Sequence, residues 1–138
     1  MKNKENLLSE KTRQYAQTNL ELLDKKRFII GDYMGNYKCH FNAVHRATID
    51  KKLDVILVLT FSGDGQPIIH FINTQGKKYI DNTWGYQYEW SDYYLLKEIS
   101  KEEFSVVGHI LHDARKEILA KCFNWLERRI WRIRDQEI

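Results

Sequence analysis

Ile68-Ile69-His70-Phe71-Ile72-Asn73, Thr74-Gln75-Gly76-Lys77 and Lys78-Tyr79-Ile80-Asp81 follow one another without a break. Two β-prone runs flank a Gly-containing turn, which is the pattern of a hairpin. A two-residue loop at Gln75-Gly76 sets Thr74 against Lys77, Asn73 against Lys78, Ile72 against Tyr79, Phe71 against Ile80 and His70 against Asp81. Directly opposed side chains leave the same face with Cβ atoms roughly 4.5 to 5.5 Å apart, so an imidazole and a carboxylate placed this way can hydrogen-bond. A three-residue loop would instead move the partner of His70 to Ile80 or Asn82.

Working outward, Ser62-Gly63-Asp64-Gly65 turns the chain into the His70 arm. Before that turn, Asp54 to Phe61 is a continuous apolar run of strand length and reads as a buried central strand. Cys39 to about Lys52 carries a modest helical stripe at Val44, Ala47 and Thr48, and the loop from Tyr33 to Lys38 delivers the chain to Cys39. Arg27 to Ile30 is a short strand-like run closed by Gly31-Asp32, and about Lys4 to Lys26 reads as an amphipathic helix. After Asp81, Tyr86 to Trp90 and Tyr93 to Ile99 offer further strands. Alternation then puts Trp84, Tyr86, Tyr88 and Trp90 on one face. Ser100-Lys101-Glu102-Glu103 has the spacing of a capping box, and helical spacing from Val107 continues to Ile133. The expected fold is α+β: an antiparallel sheet packed by a helix that starts at Cys39, with flanking N-terminal and long C-terminal helices.

The chain has 138 residues, which suits a single domain, and its 43% hydrophobic, 13% aromatic and 30% charged residues exclude a disordered chain. No apolar run suits a secretory signal or a membrane span, so a cytoplasmic location without membrane attachment is expected. Two cysteines, Cys39 and Cys122, are too few for a disulfide framework. The net charge of +3 is mild but uneven. Between Arg115 and Arg134 seven Lys or Arg face two Glu, a balance of +5 (7 minus 2), whereas Asp81 to Glu103 holds six acids against two lysines.

A thiol becomes a useful nucleophile only as the thiolate, which a base or a helix N-terminus can stabilise. Cys39 has both prospects, with His70 as base and Asp81 as the carboxylate that fixes the tautomer. Asn36 or Tyr37 are candidates for a second oxyanion donor, and Asn42, one turn beyond Cys39, for lining the site.

The run from His70 to Asn73, the Gly-Lys-Lys-Tyr turn and Ile80-Asp81-Asn82-Thr83-Trp84-Gly85 resemble the end of a transglutaminase-like core. In that family a His begins one strand and an Asp ends the next, often within Asp-x-Thr-Trp. Cys39-His40, opening a helix after a Gly-containing loop, resembles the family's nucleophile helix. The likeness runs from about Tyr33 to Gly85 and implies a core of about residues 33–99. It implies a cysteine hydrolase or acyltransferase, with Cys39 as nucleophile, His70 as base and Asp81 as orienting carboxylate. The substrate would be a peptide, a protein or another amide-containing molecule, and no cofactor would be needed. Asn82 and Trp84 would line the site. The papain-like group of thiol proteases and amidases shares this order. The His-to-Asp connection is shorter than is usual in the transglutaminase-like family, and the terminal helices lie outside its core.

His109 and His112, three apart, with Cys39, His40 and His45, invite a metal site, but the paired-Cys spacing of zinc sites is missing and no metal is expected. The alternative function is a non-catalytic interaction protein. Arg128, Arg129 and Arg132, with Trp125 and Trp131 beside them, would contact nucleic acid or an acidic protein partner. A solvated helix face accounts for the same residues. A homodimer through the two terminal helices is a further expectation.

Overall fold

Residues 3–34, 38–85 and 87–138 are described by a computed structural model of the chain. Asp54–Phe61 forms β3, and it is buried along nearly its whole length because both of its faces and both of its edges are covered. It pairs antiparallel with β4 (Pro67–Gln75) through eight residues and with β6 (Tyr94–Ile99) through a ladder that shifts register at Leu57/Val58. Outside these lie β5 (Lys78–Ile80) beyond β4 and β1 (Glu21–Leu22) beyond β6. β2 (Phe28–Ile29) closes the far side, parallel to β5, so the sheet order is β1-β6-β3-β4-β5-β2.

Side chains alternate across this sheet. Val55, Leu57, Leu59, Ile69 and Phe71 face a core shared with three helices, while Ile56, Val58 and Ile72 join Leu23, Phe28, Tyr79, Trp84 and Tyr93 on the other side. Three helices pack on the first face: α1 (Lys4–Asn19), α2 (Cys39–Ile49) and α3 (Val107–Cys122). The second face has no helix over it among the described residues. Phe28 covers it with rings against Tyr79, Tyr88 and Tyr93 at 5.1, 5.2 and 4.9 Å between centroids.

The α+β architecture agrees with the expectation from sequence, and the departures are local. α1 stops at Asn19 rather than continuing to Lys26. Leu20 is extended, and Leu22-Leu23 leave the helix because the Leu23 N–H bonds the Tyr93 carbonyl (2.8 Å) and its side chain enters the second core. Propensity favoured helix there, and tertiary pairing overrode it. The aromatic segment is not a strand either. Gln87–Glu89 is a 3-10 turn, Trp84 is buried, and Trp90 is 70% exposed, so the described members of the expected stripe do not share one face. Tyr86 lies outside the described residues.

At the C-terminal end, helix resumes after a break as α4 (Trp125–Ile130). Phe123 leaves helical geometry to bury its ring, and Asn124 caps α4 by accepting the Glu127 N–H at 2.8 Å while Glu127 reaches back to the Asn124 N–H at 3.1 Å. The expected box at Ser100 and Glu103 is also present, opening a 3-10 turn over Lys101–Val106 that leads into α3.

The central hairpin needs a correction of register. Its loop is Gly76-Lys77, so Gln75 opposes Lys78, Thr74 opposes Tyr79 and Asn73 opposes Ile80. Gly76 takes φ 60° at the first central position, a conformation Gly adopts without steric cost and Gln75 would not. Relative to the expected pairing the ladder is displaced by two residues, an even number. His70 and Asp81 therefore remain on one face but are not opposite each other.

Candidate functional site

The ladder between β4 and β5 ends at Asn73 and Ile80. Beyond it the two chains part. Asp81 folds its own segment into a tight turn: its carbonyl accepts the Gly85 N–H (3.0 Å), and Oδ1 accepts the Thr83 and Trp84 N–H groups (both 2.9 Å). That turn is stitched to the other side instead, through a Tyr33–Trp84 bridge and a Met34 N–H to Thr83 carbonyl bond of 2.8 Å. The approach is close enough that a Cβ on Gly31 would lie 2.4 Å from the Asp81 carbonyl oxygen, so only Gly fits there. A wedge is left between β4 and residues 81–84, and His70 and Trp84 fill it with rings stacked at 4.4 Å and 22°.

His70 crosses this wedge to Asp81, with Nε2 2.9 Å from Oδ2. An ionised carboxylate only accepts, so Nε2 carries the proton and Nδ1 is the ring nitrogen left for the thiol. Oδ2 also accepts the Tyr93 hydroxyl at 2.6 Å. Asp81 is thus fully buried with two donors on each oxygen. Burial raises its pKa, but the His70 charge and the donors from His70, Trp84 and Tyr93 together hold it below the usual carboxylate range. Burial and then the adjacent Asp81 charge push the Tyr93 hydroxyl far upward, so it remains a donor.

Cys39 is the first residue of α2, as the sequence predicts, and its Lys38 cap makes no side-chain bond to the first turn. Asn73 pins this helix to the sheet by donating to the Ala43 carbonyl (2.9 Å) and the Asp54 carbonyl (3.2 Å). Asn42 adds a bond to Thr83 Oγ1 (3.0 Å), tying the helix to the Asp81 turn. Backbone groups in an antiparallel ladder alternate sides. Since Gln75 closes the two-residue hairpin and Asn73 points the same way, Phe71 directs its N–H past the end of β5, and this N–H bonds the Cys39 sulfur.

Cys39 and His70 lie within each other's charge and hydrogen-bonding reach. Burial pushes the thiol up. The positive His70, with hydrogen bonds from His40, His70 and Phe71, outweighs that and brings Cys39 from 9.0 down to about 6. For His70, burial favours the neutral ring, but the Asp81 and Cys39 charges and hydrogen bonds raise it from 6.5 to about 10. These opposite shifts favour a thiolate facing an imidazolium near neutral pH. Cys122 on α3 is the contrast: burial drives it up to about 11, with Lys11 only partly offsetting.

Cys39, His70 and Asp81 therefore converge, as the sequence predicts, although not through the expected register. No family model, curated protein or solved structure matches the chain. Nothing among known proteins thus bears on the transglutaminase-like resemblance, and the site's chemistry has to be read from its own geometry.

The other candidates fare differently. Trp84 lines the site by stacking on His70, whereas the Asn82 amide donates to Asn73 Oδ1 (2.8 Å) and its Oδ1 accepts the Asp32 N–H (3.2 Å), which makes it a brace. Asn42 also braces, and Asn36 and Tyr37 lie outside the described residues. Arg128 is occupied by Asp135 (2.6 Å), while Arg129 and Arg132 are exposed beside Trp125 (73% exposed) and Ile130 (67% exposed). His109 and His112 are exposed on α3, and no group of three or more His, Cys, Asp or Glu among the described residues could hold a metal. No helix among them is long and apolar enough to cross a membrane.

Sequence reasoning missed Tyr93, Asn73 and the His40 and Phe71 contacts to sulfur. An Asn directly after the apolar Phe71-Ile72 is the available signal for Asn73, because a polar residue buried there must find partners. Nothing in sequence marks Tyr93, one of eight tyrosines. Among the described residues the site is largely covered, with Cys39 8% and His70 1% exposed, and a cavity of about 540 Å³ opens elsewhere, between Leu23, Ile56, Tyr79 and Leu95.

Proposed function

We propose that the protein is a cysteine hydrolase or acyltransferase acting on an amide or related acyl bond, of the transglutaminase-like or papain-like type. The observation that supports it most is the junction at Cys39: a sulfur at a helix start, coupled to a buried His70 that Asp81 holds through Nε2. The Cys39 thiolate attacks the carbonyl carbon of a peptide, protein or other amide. The N-terminal amide groups of α2 stabilise the oxyanion that forms. As the C–N bond breaks, the amine leaves with the proton from His70 Nδ1, and a thioester remains on Cys39. Water, or an amine in the transfer reaction, then attacks the thioester while His70 takes its proton. The C–S bond breaks and the thiolate is restored. A thiolate of this kind requires reducing surroundings, which fits a cytoplasmic setting.

Competitive alkylation with iodoacetamide tests this. Cys39 is expected to react faster than Cys122, with a midpoint near pH 6, and His70→Ala should abolish the difference. Equal, slow labelling of both thiols would count against the enzyme.

The exposed Trp125, Arg129, Ile130 and Arg132 favour a second reading, an interaction protein that docks nucleic acid or an acidic partner on α4 and the turn that follows it. Its test is salt-dependent binding to nonspecific DNA or RNA that is lost on replacing Arg129 and Arg132. Failure to bind at low salt would remove the nucleic-acid arm.

A further inference from the structure

Resting on the thiol acyl-transfer reading, we propose that Tyr93 is a positioning residue acting through Asp81: its hydroxyl shares Oδ2 with His70 and limits how tightly the carboxylate holds the imidazolium, so that His70 can release its proton. Tyr93 stands at the head of β6, two strands away from β4, and is 1% exposed with its ring held against Phe28 at 4.9 Å. That packing accounts for an aromatic ring at this position. It does not account for a hydroxyl, which reaches into an otherwise apolar core to meet the carboxylate.

Oδ1 is already fixed by two backbone N–H groups of its own turn, so the carboxylate would keep its orientation without Tyr93. The hydroxyl instead bonds the one oxygen that faces the imidazole, at 2.6 Å against 2.9 Å for His70 Nε2. A donor there withdraws negative charge from the His70 side of the carboxylate. An Asp81 without it would pair more strongly with the imidazolium and make it a weaker acid. The reaction needs both states of His70. The imidazolium must stabilise the thiolate before attack, and must then give its Nδ1 proton to the leaving amine, which departs as the neutral amine once the C–N bond breaks. His70 finishes that step neutral. An imidazolium bound too tightly would favour the first state and slow the second. The ionisable groups around His70 are Cys39 and His40 on α2, Asp81 after β5 and Tyr93 just before β6.

The test is the titration of the His70 ring in the full chain, followed by NMR on its ring nitrogens, with wild type compared to Tyr93→Phe. Phe keeps the ring packing and removes only the donor. The His70 midpoint, about 10 in wild type, is expected to rise by about half a pH unit, roughly a threefold change in the neutral fraction below the midpoint. Site-specific replacement of Tyr93 by difluorotyrosine, whose hydroxyl is a stronger donor, should move it downward and keeps the test open if the Phe variant folds poorly. A midpoint unmoved in both variants, or moved in the opposite direction in either, overturns the role assigned to Tyr93. A purely structural role would lower the thermal midpoint of Tyr93→Phe without moving the His70 titration. The outcomes stay separate from the enzyme reading, because wild-type Cys39 titrating like an ordinary thiol would defeat that reading whatever Tyr93 does.

Discussion

Asp81→Asn isolates the contribution of the carboxylate to the thiolate. The introduced amide retains an oxygen for the Thr83 and Trp84 N–H groups, so the turn survives, at a cost of about 1 to 2 kcal/mol for the altered bonds. Its NH2 group, however, faces His70 Nε2 where an acceptor stood. The ring must then accept through Nε2 and carry its proton on Nδ1, toward the sulfur. In that tautomer a neutral His70 cannot take the thiol proton. At pH 7 a thiol with a pKa of about 6 is about 90% ionised, and one at its ordinary value of 9.0 about 1%. The alkylation rate of Cys39 at pH 7 should therefore fall about 90-fold, and further if burial without a counter-charge lifts the thiol as it does Cys122. The assay is pseudo-first-order iodoacetamide labelling followed by intact-mass measurement, alongside circular dichroism to check the fold. A folded variant that labels within a few-fold of wild type would refute the idea that Asp81 sets the state of His70.

Three other expectations follow from the same region. Stability should be greatest between about pH 6 and about pH 10. Cys39 has a depressed folded pKa, so its contribution is present above 9.0 and is lost as pH falls through about 6. His70 has a raised one, so its contribution is full below 6.5 and is lost as pH rises through about 10; urea midpoints across pH 5 to 10.5 would show a plateau with two shoulders, and a midpoint flat across that range would deny the pairing. Gly31→Ala should cost about 1 to 3 kcal/mol in thermal or urea unfolding and slow Cys39 labelling, because its Cβ would push the Asp81 turn away; wild-type behaviour in both would show that the strip yields freely. Asn73→Ala leaves the carbonyls of Ala43 and Asp54 and the Asn82 amide short of a partner, and is expected to cost about 2 to 4 kcal/mol, read as a lowered urea midpoint.

The legible part of this fold was the part dictated by local chemistry. β3 announced itself because a strand buried on both faces has no polar residue between Val55 and Leu59, and α2 began at Cys39 where the stripe of Val44 and Ala47 placed it. The hairpin was legible as a hairpin, but its register was not. Gln75-Gly76 and Gly76-Lys77 are both acceptable loops by composition, and only the demand for positive φ at the first loop position separates them. The convergence of His70 and Asp81 survived that error because a two-residue displacement preserves the face. The end of α1 was hidden because Leu22 and Leu23 continue a helical stripe, and it is a distant carbonyl, that of Tyr93, that draws Leu23 away. The break before α4 was written in Asn124-x-x-Glu127, which has the same spacing as the box recognised at Ser100. Asp81's network was legible only in part, since two of its four donors are backbone groups of its own turn and one is Tyr93, which reaches it from across the sheet.

The shortness of β5 has a consequence for how such a protein could change. A hairpin usually gains stability with each rung it adds, yet here a fourth and fifth rung would zip residues 81 and 82 onto β4 and occupy the Phe71 N–H that now meets the sulfur. The length of one arm thus works as a ruler, fixing how far along β4 the sheet yields to the helix. Insertions of two residues in that arm would keep every side chain on its proper face while sliding the ruler. Reactivity at Cys39 should therefore be far less tolerant of changes in hairpin length than the fold itself.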